Sequence, residues 1–122
     1  MSNMFENATV FDQELEWNTS AVRTMTMMFY GAISFNKKLH FDTSNVTSMN
    51  HMFTMTKKFN QPLNNWDVSN VTNMNRMFQC AISFNQSLNN WDVSNVEDMS
   101  GMFCYTKSFN QPLDNWVVSN VR

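Results

Sequence analysis

The sequence predicts an α/β repeat fold, a solenoid of about five turns in which each turn contributes one short parallel strand and one short helix. Three observations predict it. The phrase V-x-x-M-x-x-M-F begins at Val22, Val46, Val71 and Val96 and is entered again at Val121, at spacings of 24, 25, 25 and 25 residues. Large apolar residues recur at fixed places in that phrase, which is the mark of units packed against one another. Within a unit, a helix-like periodicity alternates with a strand-like one.

The columns can be read straight down the chain. One methionine column is Met1, Met25, Met49, Met74 and Met99; a second is Met4, Met28, Met52, Met77 and Met102. Phenylalanine fills Phe5, Phe29, Phe53, Phe78 and Phe103, and again Phe11, Phe35, Phe59, Phe84 and Phe109. Trp17, Phe41, Trp66, Trp91 and Trp116 form an aromatic column, and Leu15, Leu39, Leu63, Leu88 and Leu113 complete the set. These columns are the expected core. Residues 1–122 therefore read as a single domain of about five units of 24–25 residues.

The helix is expected from Val71, Met74, Met77, Phe78 and Ala81, spaced i, i+3, i+6, i+7 and i+10 on one helical face. Ser69 stands ahead of that run as an N-cap, repeated by Ser20, Ser44, Ser94 and Ser119, and Ser94 with Glu97 has the spacing of a capping box. Short helices are placed near 21–31, 45–55, 70–81 and 95–105. Just before each cap, Leu63, Trp66 and Val68 are spaced L-x-x-L-x-L, the strand spacing of a leucine-rich repeat. Strands of about three residues are expected around Trp66-Asp67-Val68 and its equivalents. Leu15 to Trp17 and Leu39 to Phe41 are two apart where later units have three, so a local irregularity is expected there.

The phrase W-D-V-S-N-V-T-N-M-x-x-M-F, with F-N-Q-x-L ahead of it, resembles the BspA-like leucine-rich repeats of bacterial surface proteins and mycoplasma lipoproteins. The resemblance covers essentially the whole chain. It implies a leucine-rich-repeat-like solenoid, displayed at a cell surface and acting by adhesion or partner recognition, with no shared catalytic residues. The chain departs from that pattern in having few glycines after M-F. Its N-terminus, MSNMFENATVFDQ, has neither a basic n-region nor an apolar h-region, and no lipid-anchor cysteine.

Composition narrows the chemistry. With 8 basic and 10 acidic residues the chain lacks the basic stripe that nucleic acid requires. No apolar run reaches the ~20 residues of a membrane span. Cys80 and Cys104 are the only cysteines and read as free, small apolar fillers. Soft metals such as Cu(I) favour methionine, but the repeat-periodic methionines beside phenylalanine are explained by core packing. His40 and His51 lie in different columns without ligand-spaced neighbours. No nucleophilic triad, carboxylate pair or phosphate loop is present, so neither an enzyme nor a cofactor is expected. Lys57 and Lys107 share a column that Ile33 and Ile82 interrupt, so no basic stripe forms.

Asparagine recurs in FNQ, NNW and SNV, where stacked side chains can form hydrogen-bonded ladders. The sequons at Asn7, Asn18, Asn45, Asn70 and Asn85 fall out of that repeat text. One column remains as a candidate site. Between Trp and Val, the outward position reads Asn18, Asp42, Asp67, Asp92 and Val117. It is either a stripe for a cation or a basic partner, or a set of braces in which each Asp accepts backbone N–H bonds at the turn. The expected function is a non-enzymatic recognition or adhesion module facing a protein or surface partner. The alternative is a structural component that stacks with copies of itself. Both MSNMF and VVSNVR are ordinary repeat text without a polar cap. Solenoid ends need covering, so self-association or continuation into a longer chain is expected.

Overall fold

In the computed structural model, which describes all of residues 1–122, the repeat units are coils stacked one on the next, and none contains a helix or a strand. All 48 backbone hydrogen bonds lie outside helices and strands. The expected α/β leucine-rich-repeat solenoid, with a strand and a helix in every turn, is therefore corrected.

The helix fails for a local reason. Arg76 and Cys80 have φ of 52° and 58°, and the same two columns are left-handed in the other coils, at Met27 with Gly31, His51 with Met55, and Gly101 with Tyr105. Two left-handed residues four apart end any right-handed helix. Between them the N–H groups alternate in direction. Met77 donates to the Met74 carbonyl and Gln79 to that of Arg76, closing i→i−3 turns at 3.2 Å. Arg76, Phe78 and Cys80 instead donate across to Ser100, Met102 and Cys104 of the next coil, at 2.9–3.0 Å. A chain of such turns returns side chains to one side at nearly helical spacing. The Val-Met-Met-Phe-Ala pattern is thus inward-facing and fully buried without being helical.

The strand fails for a complementary one. No backbone ladder joins coils at Trp66-Asp67-Val68. Side chains link them there instead: the Thr19 hydroxyl donates to the Asp42 carbonyl and Thr43 to that of Asp67, at 3.0 and 2.8 Å. The only parallel bridges are single residues, Thr24 to Ser48 to Asn73 to Asp98, and they lie in the segment expected to be helical. The serines are not helix caps either; Ser20, Ser44, Ser69 and Ser94 each find another partner, described below.

The core is as the columns indicate. Phe29, Phe53 and Phe78 are stacked at 5.5–5.7 Å with rings within 7° of parallel, and Phe35, Phe59 and Phe84 form a second column at 5.8–6.0 Å. Within a coil the two columns touch, Phe78 to Phe84 at 4.3 Å. Methionines fill the space beside them: Met25, Met28, Met49, Met52, Met74 and Met77 are all fully buried. Both cysteines are free.

Asparagine ladders replace the missing sheet. Asn60 donates its backbone N–H to Asn36 Oδ1 and accepts that of Asn85 on its own Oδ1, each at 2.9 Å. Gln86 Nε2 adds a bond to the Asn60 side chain at 3.1 Å. Asn45, Asn70, Asn95 and Asn120 each donate Nδ2 to the serine carbonyl of the preceding coil. No buried side-chain nitrogen or oxygen is left without a partner. Replacing Asn60 by Ala removes the acceptor of the Asn85 N–H, so a loss of about 0.5–1.5 kcal/mol is expected in urea unfolding. Asn60→Asp, which keeps the acceptor, is expected to lose less; equal losses would show that the ladder is not what Asn60 supplies.

Candidate functional site

The outward column lies on the turn after the aromatic residue, and the coil geometry puts every member in solvent. Trp66 and Val68 are buried on either side of an exposed Asp67, and Trp91 and Val93 flank Asp92 in the same way. Each polar member closes the same Asx turn. Asp67 Oδ1 accepts the Ser69 N–H at 2.9 Å and the Ser69 hydroxyl at 2.6 Å. Asp42 takes Ser44 at 3.0 and 2.6 Å, and Asp92 takes Ser94 at 3.1 and 2.6 Å. Asn18 does the same for Ser20, at 3.1 and 2.7 Å. Val117 has no acceptor to offer and stands 57% exposed at the end of the line.

The sequence-derived stripe is therefore brought together as a line, and its aspartates also brace their turns. The two roles use different atoms. Oδ1 carries both serine bonds, while Oδ2 of Asp42, Asp67 and Asp92 has no hydrogen-bond partner and faces solvent. The serine hydroxyl first, then the serine N–H, hold Asp42 and Asp92 below the ordinary carboxylate range. Ser100 does likewise for Asp98, the same device in a second place, on the bridge column Thr24–Ser48–Asn73. These groups stay charged at neutral pH. Lowered carboxylate pKa values add stability above the unfolded pKa that disappears as pH falls through the folded value. Melting temperature is thus expected to drop on acidification from about pH 7 to about pH 3. A triple Asp42→Asn, Asp92→Asn, Asp98→Asn variant is expected to show a shallower drop, and an unchanged slope would contradict this linkage.

No three His, Cys, Asp or Glu side chains lie close enough to hold a metal ion. Burial first, then the neighbouring Arg76, keeps His51 below its ordinary pKa. Reading the columns missed a notch of about 250 Å³ between Lys38–Phe41 and Pro62–Trp66. Its signal was the change from two to three residues between Leu and the aromatic. The extra residue loosens the stack there, and Trp66 Nε1 reaches the Leu39 carbonyl only at 3.4 Å, against 2.9 and 2.8 Å for Trp91 and Trp116 in the regular coils. Also unforeseen was a polar groove of about 610 Å³ along the Asn70–Asn95–Asn120 ladder.

The fold and this surface define a repeat protein of helix-free stacked coils with a periodic polar exterior. The chain belongs to the family described as Mycoplasma protein of unknown function, DUF285, which matches residues 1–40 and 39–122. That match supports the mycoplasma side of the resemblance; the leucine-rich-repeat side is not supported, because the coils have no helix and no sheet. No curated protein and no solved structure matches the chain. No helix is long and apolar enough to cross a membrane.

Proposed function

We propose that this chain is a non-enzymatic recognition module of the adhesion type, presenting the Asn18–Asp42–Asp67–Asp92 line to a basic protein or surface partner. One observation carries the reading: each aspartate is fixed by its serine through Oδ1, leaving Oδ2 pre-oriented and unpartnered. Fixing a charged group before binding removes the entropy cost of ordering it in the complex. The repeat phrase supports the same reading, since it resembles that of BspA-like surface proteins.

Asn18 points to the discriminating variant. It makes the same two serine bonds without a charge. Asp→Asn at 42, 67 and 92 therefore keeps the brace and removes the charge, whereas Asp67→Ala removes both. Binding of the wild-type chain to lysine-rich synthetic peptides is expected to weaken as salt rises. The triple Asn variant is expected to bind at least about tenfold more weakly and, at pH 7, to melt lower than the wild type only by the charge-assisted part of the Asp42 and Asp92 braces. Asp67→Ala is expected to melt lower. Equal peptide binding by the wild type and the triple variant would remove the column from the function.

A further inference from the structure

We propose that a second copy of this chain docks head-to-tail on the stack, its first coil continuing the ladder of the last. This goes beyond the recognition reading and is independent of it. One row of inter-coil backbone bonds has a single direction. Alternate N–H groups of each coil donate towards the next, as Arg76 does to Ser100 and Phe78 to Met102. In the last coil the equivalent N–H groups of Gly101, Phe103 and Tyr105 have no acceptor. In the first, the equivalent carbonyls of Ser2, Met4 and Glu6 accept nothing. In this row the last coil offers donors and the first coil acceptors, in the same register.

Side chains repeat the match. Met4 is 53% exposed although Met28, Met52 and Met77 in its column are fully buried, and Trp17 is 39% exposed where Trp91 is 3%. At the other end an apolar hollow of about 410 Å³ is lined by Met99, Phe103, Leu113 and Trp116. Continuing the register stacks Phe5 on Phe103 and Phe11 on Phe109, and carries Trp17 Nε1 to the Leu113 carbonyl, as Trp116 Nε1 reaches Leu88. Asn110 Oδ1, with no donor, would take the Asp12 N–H, as Asn36 Oδ1 takes that of Asn60. Two like ends brought together would set donor against donor. The contact is therefore heterologous, and a heterologous contact between nearly parallel coils extends without closing.

Sedimentation of the 122-residue chain is expected to show growth beyond a dimer as concentration rises. Met4→Glu blocks the first face and Met99→Glu the last, so each alone is expected to stay monomeric. Their equimolar mixture is expected to form a dimer and stop there. Melting curves of both variants establish that they fold. A second readout leaves the apolar faces intact: Glu6→Cys sits over Cys104 of the neighbouring copy, at a separation within the Cα range of a disulfide. Mild oxidation is expected to give a ladder of covalent oligomers, abolished by Cys104→Ser. A wild-type chain that stays monomeric at every concentration, or an assembly that ends at a dimer, would overturn the proposal, as would failure of Glu6→Cys to cross-link through Cys104.

Discussion

Replacing Phe78 by Ala is expected to lower the unfolding free energy by roughly 3–5 kcal/mol, the range for truncating a large, fully buried aromatic. Phe78 is at the crossing of the two stacks, 5.5 Å from Phe53, 5.9 Å from Phe103 and 4.3 Å from Phe84. Neighbouring rings cannot close the gap, because each is also fixed by its own coil through the backbone ladder. Stability in a stack of this kind is a sum of units and nearest-neighbour interfaces. Loss of one interior ring weakens two interfaces at once and is expected to broaden the urea transition. Ser87, exposed and without a hydrogen bond, is the control: Ser87→Ala is expected to change stability by less than about 0.5 kcal/mol. Equal losses at the two positions would invalidate the inward register. Asn75 does not serve as that control. A helical reading puts it on an outer face, whereas its Nδ2 bonds Ser100 and Asp98 of the next coil.

The depth of the chain was legible and its backbone was not. Phe, Met, Leu and Trp recur at fixed places in the coils, and recurrence reports burial whatever the backbone does; the interior members of all six columns are buried. The asparagine ladders were legible on the same ground, since a polar residue kept in every unit needs a partner in every unit. Secondary structure was misread because consecutive i→i−3 turns and a helix both return Val71, Met74, Met77 and Phe78 to one side. The discriminating signal sat in the columns between them. The chain has two glycines, and both occupy left-handed columns, Gly31 at φ 70° and Gly101 at φ 65°. Asn3 and Asn7, of the residue type most tolerant of that conformation after glycine, share those columns in the first coil. The Asp line was legible as a line, but its serine partners were absorbed into an expected helix cap. Their hydroxyls point back to the carboxylate two residues earlier.

Substitutions in the left-handed columns are expected to act with a sign opposite to that in a helix. Gly31→Val is expected to cost about 1–3 kcal/mol, because a β-branched residue is forced to positive φ. The site is also closed: a Cβ on Gly31 would collide with Asn7 Oδ1. That side chain can swing away, but the backbone strain stays, since the Gly31 N–H is held to the Thr54 carbonyl at 2.8 Å. Cys80 occupies the column of Gly31, at φ 58° and with its N–H bonded to Cys104 at 2.9 Å. Cys80→Gly therefore releases left-handed strain of about 1–2 kcal/mol. Against that stands the greater freedom of glycine in the unfolded chain, about 0.5–1 kcal/mol. The net expectation is a chain as stable as the wild type or more stable by up to about 1.5 kcal/mol. In a helix interior the same change could only destabilise. Urea unfolding of Gly31→Val and Cys80→Gly side by side reads the sign directly. A clear loss at Cys80→Gly, with Gly31→Val tolerated, would return those columns to right-handed backbone and remove the physical basis of the helix-free coil.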